Sequence, residues 1–252
     1  HCVTRRQRQM CIRDSKQMSS SDIYKSKDWI TEKAFIKKDD YKAMYEQSIS
    51  KPDEFWFEQG QRLDWFTPYT KVRDYSYEKD DLYIKWYEDG ELNASYNCLD
   101  RHIEKNADKI AVIWEGDDPS NSRKITYQEL LTEVCKFSNG LKSLGVKKGD
   151  RVTIYMPMIP EAAIAMLSCA RIGAVHSVVF GGFSPEALAG RLEDCDSKYI
   201  ITADEGVRGG KTIPLKENVD KAISKIEDFK KCVVVKRTGN AINWDSSIDH
   251  WY

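Results

Sequence analysis

The chain is poor in the ingredients of a metal site. Across 252 residues there are four histidines, His1, His102, His176 and His250, and none has another near it in sequence. The seven cysteines, at positions 2, 11, 98, 135, 169, 195 and 232, form no CxxC pair. Zinc-ligand spacing is therefore excluded. An odd, scattered set of thiols reads as reduced cysteine in a cytoplasmic protein, not as a disulfide framework. No apolar run approaches the roughly 18 residues of a membrane span, and no apolar N-terminal segment marks a secretory signal. A charge excess is missing too: 39 Lys and Arg meet 40 Asp and Glu, a formal net of −1. A general nucleic-acid binder carries a basic excess, so that class is disfavoured. The nucleotide signatures GxGxxG and GxxxxGK[ST] and the nucleophile elbow GxSxG are all absent. No paired carboxylates stand out, because Asp204 and Glu205 are adjacent and point apart on an extended chain. No catalytic residue and no metal ligand is nominated.

What is present changes in character along the chain. Residues 1–17 (HCVTRRQRQMCIRDSKQ) are basic and aperiodic. They read as a disordered tail, a basic targeting arm or, the favoured reading, sequence translated ahead of a start at Met18. Residues 18–38 are polar and expected to be mobile, which makes 1–38 a first, unstructured region. Residues 40–50 look helical, and Pro52 to Gln59 follow with Asp53 near a helix start. Trp65, Phe66, Tyr69, Tyr75, Tyr83, Trp86 and Tyr87 then crowd an otherwise polar stretch. Such a segment reads as an arm packed on a larger body; a base-stacking surface is the alternative, weakened by the acidic residues among its cations. Asn97 to Asn106 reads as one short helix with Leu99 and Ile103 on one side.

From there strands and helices alternate. Lys109–Glu115 is a strand. Thr126-Tyr127-Gln128-Glu129 fits a capping box, opening a helix in which Leu130, Val134, Phe137, Leu141 and Leu144 keep helical spacing. Gly145 is a natural stop. Arg151–Met156 is a strand, Pro160 suits a first helical turn, and Ala162–Ile172 is apolar almost all round. Val175–Phe180 is a strand, Ser184 caps a helix reaching about Asp194, Lys198–Ala203 is a strand, Lys216–Lys225 a helix and Lys231–Lys236 a last strand. His176 reads as a hydrogen-bonded core or turn residue, and His250 falls in a frayed end. The pattern predicts an α/β fold: a mainly parallel sheet flanked by helices, preceded by an aromatic-rich N-terminal extension. No closing element precedes Tyr252, so a fragment is expected.

Two loops concentrate the chemistry. In Phe180-Gly181-Gly182-Phe183-Ser184 a strand runs into a glycine turn and a helix start, where bare backbone and unpaired N–H groups suit an anion. The alternative is a tight turn that needs glycine only for its dihedrals. In Arg208-Gly209-Gly210-Lys211 two cations flank flexible backbone, suited to phosphate; the alternative is an exposed hairpin turn with solvated charges. Both are expected at the carboxyl ends of parallel strands, where open α/β sheets bind ligands.

From about Asp39 onward the chain resembles the N-terminal part of the AMP-forming acetyl-CoA synthetases, members of the adenylate-forming ligase family. The resemblance is carried by YKAMYEQSISKPDEFWFEQGQRLDWFTPYTKV, ASYNCLDRH, DRVTIYMPMIPEAAIAMLSCARIGAVHSVVFGGFSPEALAGRLEDC, ITADEGVRGGK and VVVKRTG. It implies a family-type N-terminal extension over 39–95 and an incomplete adenylate-forming domain over 96–252. It implies a two-step reaction: acetate attacks the α-phosphate of MgATP to give acetyl-AMP and pyrophosphate, and the CoA thiolate then displaces AMP. By the resemblance, Phe180, Gly181 and Gly182 contact CoA through backbone, and Arg208, Gly209, Gly210 and Lys211 hold its phosphate end. Lys211 stands where the family often has a second arginine. CoA and ATP are implied as substrates with Mg2+ for the full enzyme, its site outside this chain, and neither nucleic acid nor membrane is an implied partner. The family's Ser/Thr/Gly-rich phosphate loop is missing before Tyr252, so this chain alone is expected to be inactive. Propionate–CoA ligase and a noncatalytic CoA- or nucleotide-binding module are the rival readings.

Overall fold

Three apolar runs, VTIYM, YIITA and CVVV, become the centre of a sheet, and their continuous hydrophobicity is what burial on both faces demands. The computed structural model describes residues 26–252; the expectations for residues 1–17 lie outside them. The chain divides into two compact units, one ending at Gly60 and the other spanning Gln61–Tyr252.

In the first unit, α1 (Asp28–Lys33), α2 (Lys38–Ser50) and α3 (Pro52–Gly60) follow one another. The short helix α1 lies in a stretch read as mobile from its polarity, and it buries none of its residues. α2 buries none either, and α3 buries only Phe55 and Gly60. Phe55 meets the edge of Trp56 at 5.1 Å between ring centres.

The second unit opens with an antiparallel hairpin, β1 (Arg73–Glu78) and β2 (Asp81–Trp86), in register from Arg73↔Trp86 to Glu78↔Asp81. The packed arm is thus built around strands that its aromatic density concealed. Trp65, Tyr69 and Tyr87 gather beside it, with Tyr69 and Tyr87 ring centres 4.6 Å apart. The single helix expected over 97–106 is two, α4 (Ala94–Cys98) and α5 (Asp100–Asn106). They break at Leu99, which is almost fully buried. A second hairpin, β3 (Ile110–Glu115) and β4 (Ser122–Thr126), is antiparallel and outside the main sheet. The strand expected at 109–115 is present, but it does not begin a βαβ unit.

The main sheet has five strands, all parallel: β5 (Arg151–Met156), β6 (Val175–Phe180), β7 (Tyr199–Ala203), β10 (Lys231–Val235) and β11 (Asp249–Trp251). Their order is β11-β10-β7-β5-β6. β11 is unanticipated. It pairs Val233 with His250 and gives the sheet an edge where a frayed end was expected. Between β7 and β10 stands a third hairpin, β8 (Gly206–Arg208) and β9 (Lys211–Ile213).

Four further helices complete the second unit's sheet domain with α5. α6 (Tyr127–Ser143) begins with the expected box: Glu129 N–H donates to Thr126 Oγ1 at 3.2 Å and Thr126 N–H to Glu129 Oε2 at 2.8 Å. α7 (Pro160–Ile172) has Pro160 in its first turn and ends on Gly173 at φ 77°. α8 (Pro185–Asp194) is capped by Ser184, and α9 (Leu215–Ile223) precedes β10. The crossover β5-α7-β6 runs toward one edge; β6-α8-β7 runs back across β5. Right-handed crossovers therefore put α7 and α8 on opposite faces. Accordingly α6 packs on α7, and α8 packs on α9. Arg171 ties α7 to α5 through a two-pronged pair with Asp100 at 2.7 and 2.8 Å.

Candidate functional site: a cavity at the carboxyl edge of the sheet

The register aligns Met156 with Phe180, Tyr155 with Thr202, and Ala203 with Val235. Four strands thus end on one level, and the loops after β5, β6, β7 and β10 open on one edge. β5 and β7 are neighbours whose onward connections leave in opposite directions. This is the switch point at which open α/β sheets form a crevice. A cavity of about 350 Å3 lies there.

Its walls are largely apolar: Met156 at the end of β5, Pro157 and Ile159 after it, Phe180 from β6, Ile213 from the third hairpin and Leu215 from α9. Trp114 closes it from β3, and its indole N–H donates to the Met158 carbonyl at 2.8 Å, which fixes the ring. Two guanidinium groups enter. Arg208 stands over Phe180 at 5.5 Å and Arg237 over Trp114 at 5.1 Å. Glu115 and Asp117 also line the cavity. An apolar slot with cations at its walls suits a flat heterocycle bearing phosphate, and its size is within the ~300–1,000 Å3 of small-molecule sites.

The glycine turn has a support that sequence reasoning missed. Tyr155, fully buried in β5, donates from its hydroxyl to the Phe183 carbonyl at 2.8 Å and lies 3.2 Å from that of Gly181. Asn218 of α9 donates to the same hydroxyl at 3.3 Å. Burial pushes the Tyr155 hydroxyl up from its ordinary 10.0, so it stays a donor. The turn is also crowded: a Cβ on Gly182 would lie 2.6 Å from Phe180 Cε1, and one on Gly181 3.2 Å from the Met156 carbonyl oxygen. Glycine is needed here for close approach.

A second support is Asp204, 1% exposed at the end of β7. Its carboxylate accepts from the backbone N–H groups of Arg237 at 2.8 Å, Thr238 at 3.1 Å and Gly239 at 2.7 Å. Glu205 accepts from the Thr238 hydroxyl and the Asn240 amide, both at 2.6 Å. These adjacent carboxylates, expected to point apart, grip the same loop, because β10 lies beside β7 and delivers it to both. Burial opposes the charge on Asp204, but the amides of Gly239, Arg237, Glu205 and Thr238 outweigh it and hold the carboxyl below its ordinary 3.8.

Of the residues nominated from sequence, Phe180, Gly181, Gly182 and Arg208 line this cavity. Gly209, Gly210 and Lys211 do not. Gly209 and Gly210, at φ 57° and 71°, form the two-residue turn between β8 and β9. Positive φ at both is the demand of a type I′ hairpin. Lys211 pairs in register with Arg208 and is exposed. The first turn of α8 lines no part of the cavity, and there Ser184 Oγ accepts the Ala187 N–H. His176, expected as a hydrogen-bonded core or turn residue, is exposed on the edge strand β6. Among the described residues, Cys98, Cys135, Cys169, Cys195 and Cys232 are free, no group of His, Cys, Asp and Glu is arranged to hold a metal, and no helix is long and apolar enough to cross a membrane.

Comparison with known proteins agrees with this architecture. The chain is 61% identical over 220 residues to an acetyl-coenzyme A synthetase of Parvibaculum lavamentivorans, covering 87% of this chain and 34% of that protein. It is 56% identical over 237 residues to the acetyl-coenzyme A synthetase of Shewanella halifaxensis, covering 93% and 36%. The chain thus spans about a third of the length of these relatives. Among solved structures it is similar to an acetoacetyl-CoA synthetase from Streptomyces lividans, with a TM-score of 0.74, 23% identity, and 88% of this chain and 34% of that one covered. The model of the acetyl-coenzyme A synthetase N-terminus matches residues 41–98, and that of the AMP-binding enzymes matches 99–251. The second match spans more than half of the sequence and contains the whole cavity, and by it the chain belongs to the AMP-binding enzyme family.

Proposed function

We propose that this chain is the N-terminal part of an AMP-forming acetate–CoA ligase, and that the cavity at the β5–β7 switch point receives the nucleotide end of CoA. The observation that carries the reading is the convergence of Phe180, Gly181, Gly182 and Arg208 on one apolar cavity. Identities of 61% and 56% to proteins named acetyl-coenzyme A synthetase favour acetate over propionate as the acyl donor.

In this reading the reaction has two halves. An acetate oxygen bonds to the α-phosphorus of ATP and pyrophosphate leaves, which turns a carboxylate with no leaving group into a mixed anhydride. The CoA sulfur then bonds to the acetyl carbon and AMP leaves. The described residues serve the second half by binding and orientation. Apolar walls take the adenine, Arg208 meets phosphate with a charge-assisted contact, and Glu115 and Asp117 accept from ribose hydroxyls. The Tyr155 hydroxyl holds the 181–183 turn in place for that approach. Among the described residues no group of three or more His, Cys, Asp or Glu side chains is arranged to hold a metal, so no step is assigned to magnesium here.

The test has two parts. Calorimetric titration of the 252-residue chain should detect CoA and not acetate. The complete protein should form AMP from acetate, ATP and CoA, and the chain alone none. AMP formation by the chain alone, or faster turnover with propionate than with acetate, defeats the corresponding part of the reading. CoA binding without AMP formation by the complete protein leaves the noncatalytic module.

A further inference from the structure

We propose that Arg237 is a second guanidinium contact for the phosphate groups of the cavity's ligand, held ready over the ring of Trp114. The proposal rests on the reading that CoA is that ligand. It assigns the second cationic contact to Arg237 in place of Lys211.

Three observations converge. First, Arg101, Arg123, Arg151 and Arg171 each pair with a carboxylate, and Arg191, which also has no ion pair, stands over Phe183 away from the cavity; Arg208 and Arg237 make no ion pair among the described residues. Both instead lie on aromatic rings in the wall of one cavity. A stacked guanidinium keeps its edge donors free for a planar, two-pronged contact with phosphate. Secondly, Arg237 is fixed from behind. Asp204 holds its N–H and those of the next two residues, and Trp114 is itself tethered to Met158. Positioning before binding lowers the ordering cost of the contact. Thirdly, Lys211 is exposed and lines no part of the cavity, although it sits opposite Arg208 in the hairpin. Glu115 and Asp117 line the same space and pair with neither arginine, so they do not neutralise the two cations directly.

The assignment is tested on the 252-residue chain by calorimetric titration with CoA, using Arg237→Gln, Arg237→Lys, Arg208→Gln and Lys211→Gln. The Asp204 clamp uses only the main chain of Arg237, so these variants keep it, and unchanged melting curves check the fold. Arg237→Gln should weaken CoA binding roughly tenfold or more, as expected for a charge-assisted contact. Arg237→Lys should recover part of the loss, and Lys211→Gln should change affinity less than about twofold. Trp114 acts as a positioning residue. Trp114→Leu should weaken binding in the native background yet add little to Arg237→Gln, and Trp114→Phe should restore affinity. Native affinity in Arg237→Gln, or an equal loss in Lys211→Gln, overturns the assignment. If Arg208→Gln loses affinity while Arg237→Gln does not, this inference alone fails. If the unaltered chain ignores CoA, the CoA reading fails with it.

Discussion

Lys216 on α9 places its ammonium 2.9 Å from the Asp249 carboxylate on β11, with both side chains almost completely buried. Asp220 shares the same ammonium at 2.5 Å, and the Asn243 carbonyl accepts from it at 3.3 Å. Two carboxylates thus share one cation beneath the sheet's edge strand; Asp249 Oδ2 also accepts the Asp245 N–H at 2.8 Å, while Asp249 Oδ1 and Asp220 Oδ2 have no hydrogen-bond partner among the described residues. Lys216→Met should therefore be costly, by about 3–5 kcal/mol, because it leaves buried charge uncompensated. Asp249→Asn should cost less, about 1–3 kcal/mol, because Lys216 keeps Asp220. Urea unfolding of both variants measures the difference; equal midpoints would mean that the cluster does not hold β11.

The same lysine predicts a pH dependence. Burial disfavours its charge, but the hydrogen bonds to Asp220 and Asp249 outweigh that and raise it above its ordinary 10.5. A cation raised on folding stabilises fully below its unfolded value, and that contribution fades as pH climbs through the folded one. Stability of the native chain should fall above pH 10.5 more steeply than that of Lys216→Met. Parallel curves would exclude Lys216 as the cause.

Asp204 gives the opposite sign. Its carboxyl is held below the ordinary 3.8, so its contribution is complete above that value and disappears as pH falls through the lower, folded one. Asp204→Asn removes the charge at every pH. Hydrogen exchange of the Arg237, Thr238 and Gly239 amides should accelerate in the variant at neutral pH, and in the native chain only in strong acid. Unchanged protection in the variant would separate the loop from this carboxylate.

The parts legible in the sequence are those whose causes are local. β5, β7 and β10 are apolar runs buried on both faces, α6 carries its own capping box, and Ser184-Pro185 starts α8. What escaped has non-local causes. β1 and β2 alternate aromatic or aliphatic with polar residues, but aromatic side chains also suit an irregular arm, and only pairing across the Lys79-Asp80 turn decides between them. β3 reads as a parallel strand until β4 is seen to pair with it. β11 is three residues long and needs β10 beside it and Lys216 beneath it. The site divides in the same way. Phe180, Gly181, Gly182 and Arg208 end a strand or follow one directly and carry a recognisable loop. Arg237 also follows a strand, β10, so the rule that led to Arg208 reaches it too. Its value, however, depends on Asp204 and Trp114, which lie 33 and 123 positions earlier in the chain.

The two glycine loops should respond differently to a single methyl group. At Gly182 the new Cβ would sit 2.6 Å from the Phe180 ring, the ring on which Arg208 stands. Gly182→Ala should displace that ring and lower CoA affinity several-fold. At Gly209 nothing lies within 4 Å, but φ is +57°. Gly209→Ala should cost about 1–2 kcal/mol of local strain and change CoA affinity little. Titration and thermal melting of the pair decide the matter: a larger affinity loss at Gly209 would move the ligand from the cavity to the hairpin turn.

Arg208 carries the test of the ligand's identity. Its guanidinium has an aromatic face beneath it and, among the described residues, no carboxylate partner, so its removal exposes no buried acid and leaves the core intact. A charge-assisted hydrogen bond contributes about 1.5–3 kcal/mol, and each 1.4 kcal/mol is a factor of ten. In the complete protein, Arg208→Ala should therefore raise the KM for CoA by roughly tenfold to a hundredfold. The KM values for ATP and acetate should stay within about twofold, since no contact with those substrates is assigned to Arg208. Equal changes in all three would signal a general loss of structure, and a change confined to ATP would place the adenylate's phosphates, not those of CoA, in this cavity.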